Sequence, residues 1–228
     1  MCRPWRTNYN KSDLQALYKH YAANITLIDY KVGEIITALK TKGYLDNTII
    51  IFCSDHGESL GEHGHIQKWT MYDSVTRVPL IFWNKNLLEN KFICSELVQL
   101  MDIAPTILDF AKIKSPNNWE AKSLMPLLRK TKSLKKPFRK YVYSELGRDH
   151  IQSASEYVIM RRDKKWKIVI YPGSKDGELY NLEDDPDELN NLWFDKKYYE
   201  MKIKSTHEIL TWNALGTFRA NRVKTSKP

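Results

Sequence analysis

The sequence contains few cysteines and lacks any long apolar run. Its three cysteines are widely spaced, so they form neither a CxxC metal motif nor a dense disulfide framework. No stretch reaches the roughly 18 apolar residues that a membrane-spanning helix requires, and no apolar segment of a secretion signal follows the first residues. We therefore expect reduced cysteines, no membrane segment, and a soluble chain without an export signal of its own.

The composition of the 228 residues is that of a folded protein. Hydrophobic residues make up 42% and charged residues 28%, which argues against a disordered or collagen-like chain. The net charge of +9 suits a polyanionic partner, but it equally suits an ordinary basic protein, because net charge governs solubility and encounter rather than fold. Nucleic acid is not an expected partner, since no nucleic-acid motif accompanies the basic residues.

Helical and strand patterns alternate over the first half of the chain. A capping box at Ser12–Gln15 predicts a helix that ends near Gly43. One apolar stripe follows this helix at spacings of three and four residues: Leu14, Leu17, Tyr21, Ile25, Ile28, Val32, Ile35 and Leu39. Residues 48–53 form a β-branched run typical of a central strand covered on both faces, and strand 78–83 and helix 101–111 follow. The pattern predicts an α/β sheet.

The second half of the chain has a different pattern of predicted elements. Residues 141–145, 156–161 and 166–171 are short strand candidates, which predict a small antiparallel sheet. A helix is predicted from about residue 196 to 212, and the last dozen residues are predicted to fray. The predicted fold class is accordingly α/β: a mixed sheet flanked by helices, with a small C-terminal antiparallel sheet and a helix.

The residues best suited to chemistry follow the first predicted strand. Asp55 and His56 stand where that strand ends, and ligands of open α/β sheets bind past the carboxyl ends of strands. A carboxylate oxygen and a neutral imidazole nitrogen are natural ligands of a divalent cation. Glycines at positions 57, 61 and 64 let the backbone turn sharply. The same residues could instead form a polar turn capped by Asp55, and spacing alone leaves both interpretations open.

Three further side chains in this segment are candidates for binding an anion, a metal or a substrate. Lys68 follows 13 residues after Asp55 and could place a positive charge against an oxyanion held by a metal. His63 and His65 have the spacing of a second metal pair in a strand or turn, although a surface or substrate-facing role is favoured.

Residues 47–64, with Lys68 after them, resemble the sulfatase family of the alkaline-phosphatase superfamily in its C-terminal half. The resemblance extends from about residue 18 to 193 and includes the segments 102–108 and 178–182. The Asp55–His56 pair is most similar to the branch of iduronate sulfatase, choline sulfatase and phosphonate monoester hydrolase. The resemblance implies that residues 1–134 are the C-terminal part of a catalytic α/β domain and residues 135–228 a small α+β subdomain.

The resemblance also implies hydrolysis of a sulfate ester at a divalent cation, usually calcium, by a formylglycine nucleophile. Asp55 and His56 would be metal ligands, and Lys68 would contact the sulfate and the leaving-group oxygen, with His63 and His65 as further substrate contacts. The substrate would be a sulfated small molecule or a sulfated glycan. Hydrolysis of a phosphonate or phosphate monoester is an alternative, because the same charges accept either oxyanion, and a non-catalytic anion-binding module is another.

The family carries its nucleophile motif, Cys/Ser-x-Pro-x-Arg, in an N-terminal half. Residues Cys2–Arg6 fit this motif on paper, but they lie too close to the Asp–His strand, no metal-binding strand precedes them, and Trp5 replaces a small residue. We therefore expect a fragment that is inactive alone and takes its formylglycine from a missing upstream part. The resemblance favours a periplasmic or extracellular location without excluding the cytoplasm, and the sequence carries no signal for the oligomeric state.

Overall fold

The computed structural model describes residues 9–86, 88, 93–129, 136–147 and 157–225. These residues belong to two compact units, Cys2–Ile93 and Cys94–Pro228. The Cys2–Arg6 motif and the predicted boundary at residues 134 and 135 both lie outside the described residues, so the boundary stays a prediction. Within the described ranges, no helix has the length and apolar character needed to cross a membrane. Cys53 and Cys94 are free cysteines, and both are exposed.

The first unit begins with a 31-residue helix, α1, at Lys11–Thr41. Its N-cap is Asn10, whose side-chain oxygen accepts hydrogen bonds from the backbone N–H groups of Ser12 and Asp13, while the Asp13 carboxylate accepts from the Asn10 N–H. The predicted capping box at Ser12 is therefore wrong by two residues, because Asn10 and Asp13 supply the reciprocal pair. The helix stops before Gly43, which has a φ of 73° as a terminating glycine should.

The apolar stripe predicted the helix but not its surroundings. No residue of α1 is buried. Half-buried members of the stripe stand near the two ends of the helix, at Leu14, Leu17, Val32 and Leu39, whereas its middle members Tyr21, Ile25 and Ile28 are exposed.

The remaining elements of the first unit are short. They are β1 at Ile50–Cys53, β2 at Ser59–Leu60, β3 at Ile66–Gln67, the one-turn helix α2 at Asp73–Thr76, and β4 at Leu80–Trp83. Strand β1 pairs antiparallel with β4, with Ile51 opposite Phe82. Among the described residues β1 has no other partner, and none of its residues is buried. The expected central strand covered on both faces is therefore not observed, because a β-branched run indicates a strand without indicating how many neighbours it has.

The second unit contains a four-stranded antiparallel sheet. Its helices and strands are α3 at Ile103–Phe110, α4 at Met125–Leu128, β5 at Val142–Gly147, β6 at Tyr157–Arg162, β7 at Trp166–Ile170, β8 at Gly177–Asn181 and α5 at Tyr199–Thr225. The strands lie in sequence order from β5 to β8. The small sheet and its helix are confirmed, with β8 as an additional strand. The predicted frayed tail is wrong over residues 217–225, which continue α5.

The core of this unit lies between the sheet and α5. Five buried side chains form it, from β6, β7, β8, the segment after β8, and α5: Ile159, Ile168, Leu179, Trp193 and Ile209. A Cβ atom at Gly177 would lie 2.5 Å from the Trp193 ring, so a glycine is needed where this ring meets β8. The second unit therefore has a hydrophobic core of its own.

Candidate active site

The candidate site is built on the loop that leaves β1. After Cys53 the chain passes through Asp55 and His56, and then two backbone hydrogen bonds fasten it to α2. The N–H of Gly57 donates to the carbonyl of Val75 at 2.7 Å, and the N–H of Glu58 donates to the carbonyl of Ser74 at 3.1 Å. A Cβ atom at position 57 would lie 1.9 Å from the Ser74 carbonyl oxygen, so only glycine permits this approach.

A short hairpin then brings the chain back to the Asp55–His56 pair. Strands β2 and β3 pair antiparallel, with Ser59 opposite Gln67. Its turn contains Gly61 at a φ of 109°, and Gln67 at its end has a φ of 67°. A left-handed backbone is unusual for a residue other than glycine, and at Gln67 it redirects the chain just before Lys68. The Gln67 side chain accepts a hydrogen bond of 2.9 Å from the Trp69 indole N–H.

The imidazole of His56 is the centre of the resulting cluster. Its Nδ1 lies 2.7 Å from the carbonyl oxygen of Gly57. Because a carbonyl only accepts, this contact assigns the proton to Nδ1 and the free lone pair to Nε2. The Lys68 Nζ lies 2.9 Å from Nε2, and Asp55 Oδ2 lies 3.4 Å from it. The structure thus brings together the three residues that the sequence nominated for metal and oxyanion binding.

Charge is stabilised on the carboxylate of this cluster. The pKa of Asp55 is lowered, chiefly because its Oδ1 accepts a 2.9 Å hydrogen bond from the backbone N–H of His56, and also through the positive charge of Lys68. The Asp55 side chain is 83% exposed, whereas that of His56 is 34% exposed. An ionised carboxylate therefore faces solvent beside a half-buried imidazole.

Asp55 and His56 fit a divalent cation as part of a ligand set. Their atoms Oδ2 and Nε2 are 3.4 Å apart, a separation that one cation can bridge with bonds of about 2.0–2.5 Å. The hydrogen bond from Nδ1 to a backbone carbonyl is the orienting contact usual for metal-binding histidines. Across the described part of the chain, no group of three or more His, Cys, Asp or Glu side chains could hold a metal, so these residues offer two protein ligands.

The two other histidines of the segment contact Tyr72. The His63 ring stacks on the Tyr72 ring with centroids 3.7 Å apart and planes inclined by 6°. The His65 ring is buried, and its centroid lies 6.2 Å from that of Tyr72. These contacts fasten the turn of the hairpin to the segment before α2. The suggested roles of His63 and His65 in substrate or metal binding stay predictions.

Two contributors to the cluster were missed from sequence. The Ser54 hydroxyl donates a 2.7 Å hydrogen bond to the carbonyl of His56, and the backbone of Gln67 aims Lys68. A serine directly before an Asp–His pair was a usable signal, because serine hydroxyls often bond to nearby backbone. The left-handed Gln67 had no signal, since glutamine does not favour that conformation.

Comparisons with known protein families cover nearly the whole chain. A sulfatase family model matches residues 2–113, and a model of the N-sulphoglucosamine sulphohydrolase C-terminal region matches residues 61–214. An arylsulfatase from Clostridium perfringens is 34% identical over 196 residues, covering 84% of this chain and 39% of the relative. An N-acetylglucosamine-6-O-sulfatase from Bacteroides thetaiotaomicron is 33% identical over 215 residues, covering 89% and 38%. The chain spans about two fifths of the length of these relatives.

Solved structures show the same fold. A 2-O GAG sulfatase superposes with a TM-score of 0.79 at 27% identity, over 96% of this chain and 47% of that one. The phosphonate monoester hydrolase of Agrobacterium radiobacter gives a TM-score of 0.78 at 26% identity, over 92% and 43%. A protein in complex with its substrate D-glucosamine-2-N,6-O-disulfate gives 0.73 at 26% identity, over 86% and 40%. The predicted alkaline-phosphatase-like fold class is confirmed, and this chain belongs to the sulfatase family.

Proposed function

We propose that this chain supplies the cation-binding and anion-binding part of a sulfatase active site. The observation that carries the proposal is the convergence of Asp55 Oδ2 and Lys68 Nζ on His56 Nε2, at 3.4 and 2.9 Å, directly after β1. A carboxylate, an imidazole lone pair and an ammonium group at one point can hold a cation and an oxyanion side by side. Membership in the sulfatase family supports sulfate ester hydrolysis as the activity.

Each residue has a separate part in this chemistry. Sulfatases generally use a divalent cation and a formylglycine, and the cation neutralises charge on the sulfuryl oxygens. Asp55 and His56 would hold it, and the Gly57 carbonyl keeps the His56 imidazole in the tautomer with a free Nε2 lone pair. Lys68 stabilises the negative charge that develops on the leaving-group oxygen. Because the Nε2 lone pair serves one partner at a time, the Lys68 ammonium would be available to an anion when His56 holds a cation.

The remaining parts of the site lie beyond these residues. Calcium takes about six to eight oxygen ligands, and the described residues offer one carboxylate and one imidazole. We propose that the further ligands and the formylglycine nucleophile belong to the portion of the sulfatase fold that this chain does not match. The chain alone then binds the cation weakly and does not hydrolyse sulfate esters. Calcium is our first choice, although the imidazole also suits a transition metal.

Titration of the 228-residue chain with Ca²⁺, followed by amide chemical shifts, tests cation binding. We expect shifts confined to residues 54–68, with a dissociation constant of about 10⁻³ M or weaker. Asp55→Asn keeps the size of the side chain and removes its charge, so binding should weaken about tenfold or more. Asp46→Asn is the matched control, because Asp46 is an exposed aspartate of the same unit that pairs with Lys85. Equal binding by the Asp55→Asn variant would refute the assignment.

Inorganic sulfate tests the role of Lys68. In the presence of Ca²⁺, sulfate should shift the resonances around Lys68, and Lys68→Met should abolish this effect. Lys85→Met is the control, since it removes an exposed lysine that lies outside the cluster. Sulfate binding that survives Lys68→Met would show that the anion binds elsewhere.

The alternative substrate is a phosphonate or phosphate monoester, which the similarity to the Agrobacterium hydrolase favours. Competition between inorganic sulfate and methylphosphonate for the Lys68 site separates the two, and tighter binding of methylphosphonate would reverse our choice. For the substrate we propose a sulfated sugar or another sulfated small molecule, supported by the disulfated glucosamine bound to a structural neighbour. A periplasmic or extracellular location stays a prediction.

A non-catalytic anion-binding module is the second class of function. The net charge of +9 is its support. Heparin retention separates the classes, because general attraction to a polyanion falls with salt and does not need the cation ligands. Salt-sensitive retention that is unchanged in the Asp55→Ala and His56→Ala variants, together with no Ca²⁺ binding, would favour the module.

A further inference from the structure

We propose that Trp69 is a positioning residue, which keeps the Lys68 ammonium at the anion-binding point when a cation engages the lone pair of His56 Nε2. Trp69 acts through Lys68, and the side chain of Gln67 fixes the indole in place. This role of Trp69 rests on the proposed function, because it requires that His56 is a cation ligand.

The Lys68 ammonium has two direct contacts in the described part of the chain. Its Nζ lies 2.9 Å from His56 Nε2 and 5.9 Å from the centre of the Trp69 ring. A cation on His56 would use the Nε2 lone pair that now accepts from Lys68, and the Asp55 charge, which also attracts Lys68, would be engaged by the same cation. The contact with the indole does not involve either group, because the face of an aromatic ring attracts an ammonium by itself. It is therefore the contact that persists in the cation-loaded site.

A lysine without such a contact is poorly suited to hold an anion beside a cation. Lys68 is exposed, and its ammonium stands at the end of a flexible four-carbon stem, whose ordering costs side-chain entropy. The cation and the ammonium also carry charge of the same sign, so they repel each other. An ammonium that the indole already holds in place binds an anion more tightly, because less freedom is lost on binding.

The indole is itself held in one orientation. The Trp69 side chain is half-buried, and its Nε1–H donates a 2.9 Å hydrogen bond to Gln67 Oε1. An indole has only two side-chain torsions, so one hydrogen bond at its edge restricts it strongly. Gln67 is also the residue whose left-handed backbone, with a φ of 67°, redirects the chain before Lys68. One residue thus sets both the direction of the lysine and the orientation of the ring beside it.

Titration of the 228-residue chain with methyl sulfate in the presence of Ca²⁺, followed by amide shifts around Lys68, tests this role. Trp69→Leu removes the aromatic face, so we expect methyl sulfate to bind about two- to fivefold more weakly, with Ca²⁺ binding close to that of the parent chain. Trp69→Tyr keeps an aromatic face and should restore most of the affinity. Tyr30→Leu is the matched control, because the Tyr30 ring lies 5.4 Å from Lys31 Nζ in α1, outside the cluster.

Two further measurements separate positioning from general support of the fold. In the Ca²⁺-loaded chain, the ring current of Trp69 should shift the ε-methylene protons of Lys68 upfield, and Trp69→Leu should remove this shift. Gln67→Met keeps an unbranched side chain but loses the acceptor, so methyl sulfate should bind more weakly than to the parent chain and more tightly than to Trp69→Leu. The double variant should bind it no more weakly than Trp69→Leu, because Gln67 acts through the indole.

The contrary results are distinct from one another. Equal affinity of Trp69→Leu and the parent chain for methyl sulfate, with both binding Ca²⁺, would overturn the role of Trp69 and leave the proposed function intact. An equal loss of methyl sulfate and Ca²⁺ binding in Trp69→Leu would reduce Trp69 to a support of the hairpin. A parent chain that binds neither ion would refute the proposed function and this role with it. If Trp69→Leu does not fold, parent-like affinity and an unchanged Lys68 shift in Gln67→Met would overturn the role instead.

Discussion

The two units of the molecule differ in how they bury their side chains. In the second unit, Ile168, Leu179 and Ile209 are at most 1% exposed and pack between a sheet and α5. In the first unit, the longest helix has no buried residue at all. Yet the first unit carries Asp55, His56 and Lys68. The well-packed core and the candidate site therefore lie in different units, and the candidate site lies in the unit with the less complete core.

Buried polar links distinguish the second unit further. The Lys167 ammonium lies 2.6 Å from the Glu188 carboxylate with both side chains buried, and Arg161 lies 2.6 Å from Glu208 on α5. Removing one partner of a buried ion pair is far more costly than removing an exposed one, because the remaining charge stays out of water.

The largest effect is expected for Lys167→Met, which removes the ammonium group that lies 2.6 Å from the buried Glu188 carboxylate. Breaking such a pair costs about 3–5 kcal/mol of unfolding free energy. Hydrogen exchange of the β7 amides reports the stability of the second unit separately from that of the first. Lys165→Met is the control, because Lys165 pairs with Glu183 at a similar distance of 2.7 Å but at the surface, where a pair contributes about 0–1 kcal/mol. Similar losses for both variants would contradict the contrast.

Gly57→Ala should be the most damaging small change in the first unit. The new methyl group would overlap the Ser74 carbonyl oxygen, so the loop has to leave α2 at a cost of about 1–3 kcal/mol. We expect a lower melting temperature and loss of the Ca²⁺-dependent shifts at residues 54–68. Gly33→Ala, in α1, where the added carbon would meet nothing within 4 Å apart from its own stretch of helix, should instead stabilise by about 0.5–1 kcal/mol. A Gly57→Ala chain that melts and binds Ca²⁺ like the parent would disprove the tight approach.

Asn10→Ala should have an intermediate effect that stays local. It removes the side-chain acceptor for two backbone N–H groups at the start of α1, which costs about 1 kcal/mol of helix stability. Because α1 has no buried residue to transmit the loss, faster amide exchange should appear in its first turns and not in β6 or β7. Lys11→Ala, one residue further on and outside the cap, is the control. Faster exchange throughout the second unit would show that the two units unfold together.

The smallest effect is expected for Tyr143→Phe, and it depends on pH. Burial is the main cause that raises the pKa of Tyr143 to about 12, and its ring stacks on Trp212 with centroids 4.3 Å apart. An unfolded tyrosine loses its proton near pH 10, so between about pH 10 and 12 the folded state binds more protons and stability falls as pH rises.

Tyr143→Phe should make this alkaline decline shallower, as measured by β7 amide exchange or urea unfolding. Tyr157, whose pKa is also raised to about 12, should maintain part of the slope. Comparison with the same variant at pH 8 separates the pH effect from any change in packing. An unchanged slope would indicate that Tyr143 does not contribute to the decline.

The sequence predicted local features better than their surroundings. The ends of α1 were predicted to within two residues, because the helical period and the terminating Gly43 can both be read from the local sequence. The burial of α1 depends on segments far away, and no local pattern contains that information. The length of α5 was underestimated, since its polar end lacks an apolar stripe. Strand identity in the second unit was recognisable from β-branched and aromatic content, but β8 was not identified as a strand.

The candidate site shows the same division. Asp55 and His56 are adjacent in the chain, so their proximity was certain, and the strand before them indicated their position. The approach of Lys68 to His56 was a hypothesis from sequence that the family resemblance strengthened, because the contact depends on the register of a two-pair hairpin and on the left-handed backbone of Gln67. Neither feature has a signature in residue types. Resemblance therefore supplied what local physical chemistry could not.

The compactness of that hairpin has a consequence for the order of assembly. Asp55 and Lys68 are separated by 13 positions, so bringing them together closes a short loop at a small entropic cost. Hairpins form in about 1–10 microseconds, whereas contacts between distant parts of a chain form much later. The three side chains of the candidate site, Asp55, His56 and Lys68, can therefore meet early, before contacts between distant parts of the chain form. The geometry of the candidate site can thus be set locally, before the slower long-range contacts of the fold are made.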